Sequence, residues 1–491
     1  MKRFLGMLNN SSWLLLVVLL PITSLPLLSK LMGGTSVAPV SFIFLGILTI
    51  SWLLPQIIEE KKVPNHAITI LFFFLIAVIS SLMAAFLPIP SFKAISHWEN
   101  SLEAFITLGI GICLYLLVSL YINSTQKLKY FIKLVNYSGM AIIAYSLLQA
   151  AFWYLTGSYP SFLWRFQEFI SSSQLLFRDR VTGFAFEPSW LAHQLNMLYL
   201  PVWLGMSLKR VSAHQWKLGR ISIENILCVL GLVVLLLSFS RIGWLAFIAV
   251  LAFLLFRAMI RLSKILVCKI EHKKSRLLKK GEKIWITIGF WWAFILLVLG
   301  TLLGAGFILN RLDPRMAELF NLGLIAEKGI LEWAGKMIFA ERLVYWIAGF
   351  RVFLQYPIFG VGLGNSGYFF PETFNSFSYK LTEVTQLLIH DTFIPNAKNL
   401  WVRILSETGI VGFSIFVGWL YTHWKSARSL EFIKDNFISS FGLVGQIFLV
   451  GLLMEGFSLD TFALPYYWIS MGLIAAVTRL VYGKQLPQAG K

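Results

Sequence analysis

The chain has 491 residues, of which 57% are hydrophobic and only 13% are charged, and its mean hydropathy is +0.74. Soluble domains carry about 25% charged residues, so this composition excludes an ordinary soluble protein and predicts an integral membrane protein. The net charge of +19 would suggest nucleic-acid binding in a soluble protein. In a membrane protein we expect the excess Lys and Arg in cytoplasmic loops, and we expect no nucleic-acid partner.

Apolar runs long enough to cross a bilayer recur along the whole chain. A helix needs about 20 apolar residues to span a hydrocarbon core of about 30 Å, and these runs are continuously apolar, whereas a β-barrel would alternate. We therefore predict an all-α integral membrane protein with about 12 transmembrane helices. The predicted spans are Ser12–Leu31, interrupted by Pro21 and Pro26, Pro39–Leu54, Ala67–Phe86, Leu102–Ile122, Phe131–Leu155, Pro188–Leu208, Ile223–Ser238, Ile242–Ile260, Ile284–Leu309, Leu400–His423, Phe437–Phe457 and Leu464–Val481.

These spans divide the chain into three parts. Residues 1–309 carry predicted transmembrane helices 1–9, residues 310–396 form a large extracytoplasmic loop, and residues 397–491 carry helices 10–12. The loop is too long for a simple connector. Its apolar run Ile330–Phe353 predicts a helix at the membrane interface.

Lys and Arg set the predicted orientation. With the N-terminus in the cytoplasm, alternate loops concentrate the basic residues, and the positive-inside rule makes these loops cytoplasmic. The basic residues of these loops are Lys61, Lys62, Lys127, Lys129, Lys209, Arg210, Lys217, Arg220, the run from Lys264 to Lys283, Lys425 and Arg428. We expect a multi-pass protein of the plasma membrane.

A second group of cations falls in the outer loops, against the positive-inside bias. Its members are Arg178, Arg180, Arg241, Arg311, Arg315, Arg342, Arg351 and Lys398. A basic cluster at an outer membrane surface predicts an anionic partner; the alternative is that long side chains only snorkel to lipid headgroups. Arg241 lies at a corner between two spans with almost no loop, where its planar fork suits a phosphate.

The stretch RDRVTGFAFEPSWLAHQ, residues 178–194, places charged groups at the start of an apolar run. Pro188 suits the first turn of a helix, where its missing N–H costs nothing. Glu187 therefore lies at the start of a membrane helix. Ionisable residues are costly there and often mark a functional site, so Glu187 is a candidate.

The start of the predicted tenth span carries further candidates. Asn399, Arg403 and Glu407 are four residues apart and share one helix face; for Arg403 and Glu407 we favour a structural ion pair. Lys398 is a candidate for holding phosphate charge, and His390 could move protons near neutral pH.

Two other patterns limit the chemistry. The glycine-rich segment 360–367 lacks the Lys-Ser pair of a nucleotide-binding loop, so we expect its glycines to let the backbone approach a sugar or the membrane helices. The chain shows no H-E-x-x-H, paired Asp-x-Asp or nucleophile elbow, so we predict neither a metal nor a cofactor. An outer-face site must then use an activated substrate delivered by the membrane, such as an anionic lipid-linked pyrophosphate.

Several motifs together resemble the bacterial O-antigen polymerase and O-antigen ligase family of polytopic membrane glycosyltransferases. They are RVTGFAFEPSWLA from Arg180, LSFSRIGWLAF from Leu237, ERLVYWIAGFRVFLQYPIFGVGLGN from Glu341 and KNLWVRILSETGIVGF from Lys398, in family order. The resemblance implies an all-helical fold with a large outer loop, and transfer of glycan from undecaprenyl pyrophosphate to an acceptor. It places the protein in the bacterial plasma (inner) membrane.

On this resemblance, Arg180, Arg241, Arg342 and Lys398 would bind the pyrophosphate, and Glu187, His390 or Lys398 would act in catalysis. Asn365 and Asn399 are weaker candidates for contacts to the glycan. A chain-length regulator is a further candidate partner. Ligase members typically carry His-Asn where this chain has Lys398-Asn399, and the FEPSWLA form is closer to polymerase-type members that make exopolysaccharide or capsule.

Two alternatives stay open at this point. An O-antigen ligase would transfer finished glycan to a lipid or another acceptor. A flippase for the same lipid-linked oligosaccharide would also need a cationic cavity, but it would show internal repeats and charges near the membrane midplane.

Overall fold

The computed structural model describes residues 2–60, 64–274, 280–312, 340–389 and 393–483, and over these ranges the protein is all-α. The first helices are α1 Lys2–Val18, α2 Pro26–Leu31, α3 Ser41–Leu48, α4 Leu54–Glu60, α5 Asn65–Ala84, α6 His97–Tyr121, α7 Thr125–Thr156 and α8 Ser161–Ile170. They are followed by α9 Pro188–Gln194, α10 Leu200–Lys209, α11 Ile223–Leu237, α12 Arg241–Lys274 and α13 Lys280–Leu312. The last are α14 Ala340–Gln355, α15 Phe370–Thr373, α16 Thr382–Ile389, α17 Leu400–Leu430, α18 Asn436–Glu455 and α19 Pro465–Tyr482.

Short non-α segments join some of these helices. π-Helical turns at Thr49–Leu53 and Leu195–Tyr199 join α3 to α4 and α9 to α10, and 3₁₀ turns lie at Ser366–Phe369 and Ser378–Lys380. The described β-structure is an antiparallel ribbon of β1 Lys217–Leu218 and β2 Ile221–Ser222, with Leu218 opposite Ile221, and an isolated parallel bridge between Ser24 and Ala38.

Eight described helical segments are long and apolar enough to cross a membrane, and the 15-residue apolar helix α11 is shorter. The eight are Ser41–Glu59, Asn65–Ala84, His97–Tyr121, Thr125–Thr156, Arg241–Glu271, Gly281–Thr301, Leu400–Leu430 and Asn436–Glu455. The all-α membrane class is thus confirmed, while the predicted count of about 12 rests on the hydropathy pattern alone.

The first predicted span, Ser12–Leu31, is not one helix. Helix α1 ends at Val18 and α2 begins at Pro26. Pro21 lies in the break and Pro26 occupies the first turn of α2, which is the position where proline costs a helix nothing. The two prolines therefore divide the run.

The core is formed by α6, α17, α18 and α19, and α10 packs beside them. The indoles of Trp203, Trp419 and Trp468 are fully buried. Gly111 allows this packing, since a Cβ at that position would overlap the Trp468 ring. In a bilayer such close packing supplies the association energy, because lipid is as apolar as the helix surfaces.

The bundle has two chemically distinct ends. At one end Lys129 lies 5.3 Å from the ring centroid of Phe437, Lys209 donates to Ser439 over 3.0 Å, and Arg257 pairs with Glu431. At the other end the start of α17 meets the end of α18, where Leu400 N–H donates to Gly456 C=O over 2.8 Å. We call the first the basic end and the second the site end.

Helix α14 covers part of the predicted interface run Ile330–Phe353; the residues of that run before 340 lie outside the described ranges. Its face of Val344, Tyr345, Ala348 and Val352 is buried, and it packs on α17. The helix is therefore packed into the protein at the site end.

Candidate functional site

The turn before α17 is shaped by two asparagines. Asn399 caps the helix, because its Oδ1 accepts hydrogen bonds from the N–H groups of Trp401 (2.9 Å) and Val402 (3.1 Å). Asn396 Oδ1 accepts from Lys398 N–H at 2.9 Å, and Lys398 adopts a left-handed conformation with φ 48°. Such a conformation is unusual for lysine and persists only where neighbours fix it. The turn thus presents Lys398 in one direction.

The Lys398 ammonium lies among aromatic and acidic groups. It pairs with Glu383 and lies 4.7 Å from the centroid of the Tyr345 ring. Burial lowers the pKa of Lys398 below 10.5, and nearby Arg342 lowers it further, against the opposing charges of Asp460, Glu341 and Glu187. The same electrostatics place Arg342 and Glu187 in the surroundings of Lys398.

Arg342 lies in the first turn of α14, near Lys398. Its Nη1 donates to the hydroxyl of Ser458, in the loop after α18. The structure therefore brings together three of the predicted site residues, Arg342, Lys398 and Glu187, although they are far apart in the chain.

Arg180 and Arg241 both lie at a second position, the corner between α11 and α12. Arg180 Nε donates to Ser238 C=O over 3.1 Å, and Val181 N–H donates to Leu237 C=O over 3.0 Å. Arg241 is the first residue of α12, three residues after Ser238. These two arginines therefore lie near each other at one corner, and their binding of pyrophosphate stays a prediction.

Glu187 joins the two positions along the chain. It is the residue before α9, and Ser189 Oγ donates to its carboxylate. Its segment runs from Arg180 at the corner to α9, while its charge acts on Lys398.

A buried network that sequence reasoning did not single out lies beside these residues. Glu455, at the end of α18, accepts from Asn196 Nδ2 at 2.7 Å and lies 3.4 Å from His193 Nδ1. Ser458 and Asp460 follow in the next loop. The available signal was a lone carboxylate closing an apolar run, in LLMEGFSLD.

The Arg403–Glu407 pair is structural, as predicted. Arg403 Nε lies 3.2 Å from both Glu407 oxygens, with the side chains 8% and 0% exposed. Ser366 Oγ donates to Glu407 at 3.1 Å, and Arg403 Nη1 donates to Asp460 C=O. The pair ties α17 to the loops on both sides.

The glycine-rich segment lies against the membrane helices. Gly360, Gly362 and Gly364 have positive φ, and Leu363 N–H donates to Ser81 Oγ at 2.9 Å. Asn365 is buried, with its Oδ1 3.2 Å from Ser101 Oγ and its Nδ2 3.1 Å from Val361 C=O. The close approach to helices is confirmed; glycan contacts by Asn365 or Asn399 stay predictions.

Two further expectations, the role of His390 and chemistry without a metal, stay predictions. His390 lies outside the described residues, so its role in proton transfer stays a prediction. Across the described ranges no group of three or more His, Cys, Asp or Glu side chains has an arrangement suited to a metal ion; metal-independent chemistry stays a prediction.

Residues 226–417 match the family described as O-Antigen ligase. The matched segment contains Arg241, Arg342, Asn365, Lys398 and Asn399. Comparison with curated proteins gives no match. Residues 226–417 are thus similar to the O-antigen ligase family, in agreement with the resemblance that the sequence motifs carry.

Proposed function

We propose that the protein is a polysaccharide polymerase at the outer face of a bacterial plasma membrane. It transfers glycan from an undecaprenyl-pyrophosphate-linked donor to a lipid-linked acceptor repeat unit. The observation that carries the proposal is that two cations lie near each other at the site end: Arg342, which donates to Ser458, and Lys398, whose charge Arg342 opposes. Both lie within the segment that matches the O-antigen ligase family.

The cations supply the donor site. Arg offers a planar fork of N–H donors for phosphate oxygens, and Arg342 and Lys398 lie together. Arg180 and Arg241 add two guanidinium groups at the neighbouring corner. Charge on the departing pyrophosphate grows in the transition state, so donors fixed in advance lower the barrier more than they strengthen ground-state binding.

The transfer step needs a proton acceptor. An acceptor hydroxyl attacks the anomeric carbon of the donor, its proton passes to the Glu187 carboxylate, and the C–O bond to phosphate breaks. The electron pair of that bond leaves on undecaprenyl pyrophosphate. Glu187 suits this role because its carboxylate is partly exposed and close enough to act on Lys398. In this scheme the cationic side chains neutralise the diphosphate without a metal.

The charge asymmetry of the bundle supports an outer site. Lys129, Lys209 and Arg257 mark the basic end, which the positive-inside rule assigns to the cytoplasm. The site end then faces outward, where lipid-linked glycans are assembled after they cross the membrane.

Ligase activity is the second candidate, because the matched family is described as O-Antigen ligase. Lys398 favours the polymerase: ligase members typically carry histidine at this position, and lysine cannot replace it as a proton acceptor while it holds phosphate charge.

Lipid analysis of a deletion strain tests the proposal. A missing polymerase leaves single repeat units on the lipid carrier, exposed on the outer face. Long chains left on undecaprenyl carrier would show a ligase instead, and units trapped inside would show a flippase; either result contradicts the proposal.

Complementation then tests the site. Arg342→Ala should leave single repeat units unpolymerised, whereas Arg351→Ala should restore long chains. Arg351 serves as the matched control because it lies on the same helix and donates to Thr373 C=O over 2.6 Å, away from Lys398. Equal polymer from both variants would contradict the assignment of Arg342.

A further inference from the structure

A buried carboxylate lies between the two cation positions. Glu455 is almost fully buried, with its side chain 3% exposed, and it holds Asn196 Nδ2 at 2.7 Å and His193 Nδ1 at 3.4 Å. Removing a carboxylate from water costs several kcal/mol unless partners compensate. An ionisable group kept in such a place within a membrane bundle points to a role beyond packing.

On one side the network reaches the corner that carries Arg241. Asn196 Nδ2 donates both to Glu455 and to Gly243 C=O, the latter over 2.9 Å. Gly243 lies in the first turn of α12, two residues after Arg241. The amide of Asn196 therefore fixes the first turn of α12 relative to the end of α18.

On the other side the network reaches Arg342 and the turn of Lys398. Ser458 N–H donates to Glu455 C=O over 2.9 Å, and Ser458 Oγ accepts from Arg342. Two residues further on, Asp460 C=O accepts from Asn396 Nδ2 at 3.3 Å. The loop that follows Glu455 thus holds both the Arg342 side chain and the turn before α17.

We propose that Glu455 is a positioning residue for pyrophosphate transfer: through Asn196 and the 456–460 loop it fixes the spacing between the Arg241 corner and the Arg342–Lys398 pair. The role rests on the proposed function of those cations. Glu455 acts through its hydrogen bonds and does not touch the substrate. A diphosphate gripped from both positions needs the two to stay in register, since a misplacement of about 1 Å can cost roughly 100-fold in rate.

The chain offers a matched control for loss of a buried carboxylate. Glu224 is fully buried, and its Oε1 accepts from Asn136 Nδ2 at 3.1 Å and from Ala213 N–H at 3.0 Å. It lies near the basic end, at the first turn of α11. Glu224→Ala therefore removes a comparable group without changing the site.

The test uses full-length protein in proteoliposomes, with lipid-linked units extracted from the deletion strain as substrate. We expect Glu455→Ala to lower kcat at least about tenfold with a smaller change in KM, and Glu224→Ala to leave kcat of the folded fraction unchanged. Glu455→Gln should restore most of kcat, because its amide oxygen can still accept from Asn196. Equal kcat for Glu455→Ala and Glu224→Ala would overturn the proposal, as would a Gln variant no better than Ala.

A double-mutant cycle separates this inference from the proposed function. If Glu455 acts by placing Arg342, the loss in the double variant Glu455→Ala, Arg342→Ala should be smaller than the product of the two single losses. Independent, multiplicative losses would overturn the positioning role while leaving the polymerase proposal intact. An Arg342→Ala protein with normal kcat would instead contradict the proposed function itself.

Discussion

Lys398 is held in place by the backbone while its charge stays available. Its left-handed turn is fixed by Asn396 and Asn399, but its partner Glu383 is 38% exposed. An ion pair this open contributes only about 0–1 kcal/mol. A diphosphate with several acceptor oxygens can therefore displace the carboxylate and take its place against the ammonium.

Binding of the lipid-linked donor should weaken at alkaline pH, because Lys398 loses its charge there. Burial lowers its pKa below 10.5, so the ammonium is charged below that lowered pKa and loses its charge as the pH rises through it. We expect KM for the lipid-linked donor to rise on the alkaline side at a lower pH than an unperturbed lysine would produce. Lys398→Arg should lack this rise, because the guanidinium stays charged; pH–KM profiles measure it.

Lys434→Arg, an exposed substitution at the basic end, is the control for that experiment and should keep the wild-type profile. If KM rises at the same alkaline pH in the wild type and in Lys398→Arg, Lys398 does not hold the donor.

Some contacts between individual side chains could be predicted from the sequence, and others could not. Arg403 and Glu407 are one helical turn apart, so local geometry alone brings them together. Glu383 of α16 contacts Lys398, and Ser458 of the loop after α18 contacts Arg342. Both contacts form only because separate segments fold over the same end of the bundle. Such contacts depend on tertiary packing, which hydropathy and spacing do not encode.

Helix α17 is kinked, and the kink shapes the element that carries the site. Gly409 has φ 64° and ψ −169° inside the helix. The glycine-rich segment binds the interrupted backbone, since Val361 and Gly362 donate to the carbonyls of Ser406 and Glu407, each over 3.0 Å. The short part of α17 between Asn399 and the kink is thereby set at its own angle.

Gly409→Ala should destabilise the protein strongly. A Cβ at Gly409 would overlap the carbonyl oxygen of Ile358. The positive φ of Gly409 is itself unfavourable for alanine. Gly418→Ala lies in the same helix with nothing within 4 Å of the added Cβ. It should be neutral or stabilising by up to about 1 kcal/mol.

Thermal unfolding of the two variants in detergent measures this difference. An equal melting temperature for Gly409→Ala and Gly418→Ala would show that the kink is not required.

Element positions followed well from hydropathy, whereas helix interruptions did not. The tenth predicted span begins at Leu400, as the structure has it. The π-turns at Thr49–Leu53 and Leu195–Tyr199 were not predicted, because an extra residue in a helical turn responds to packing from neighbouring helices. The interruption at Pro21 and Pro26, by contrast, followed from the sequence, because proline breaks a helix.

Over the whole molecule, described cations lie at both ends of the bundle, and only those at the site end belong to the candidate site. Arg180, Arg241, Arg342 and Lys398 lie at the site end, and Lys129, Lys209 and Arg257 lie at the basic end. The same rule that orients the protein thus marks the exceptions as functional candidates.

Cysteine labelling tests the orientation. Single cysteines replacing exposed Arg178, at the site end, and exposed Lys434, at the basic end, are placed in a chain whose Cys113, Cys228 and Cys268 are changed to serine. A membrane-impermeant maleimide applied to right-side-out vesicles should label position 178 directly and position 434 only after lysis. The reverse pattern would place the site in the cytoplasm and contradict transfer at the outer face.

Binding of undecaprenyl pyrophosphate to the purified protein in lipid nanodiscs is the decisive test of a pyrophosphate site at Arg342 and Lys398. Charge-assisted hydrogen bonds contribute about 1.5–3 kcal/mol each, and about 1.4 kcal/mol corresponds to a tenfold change in affinity. We expect the double variant Arg342→Ala, Lys398→Ala to weaken binding at least about 100-fold. Removing the same charge with Arg351→Ala and Lys434→Ala should weaken it by no more than about threefold. Equal weakening by both pairs, or none by either, would contradict a pyrophosphate site at Arg342 and Lys398.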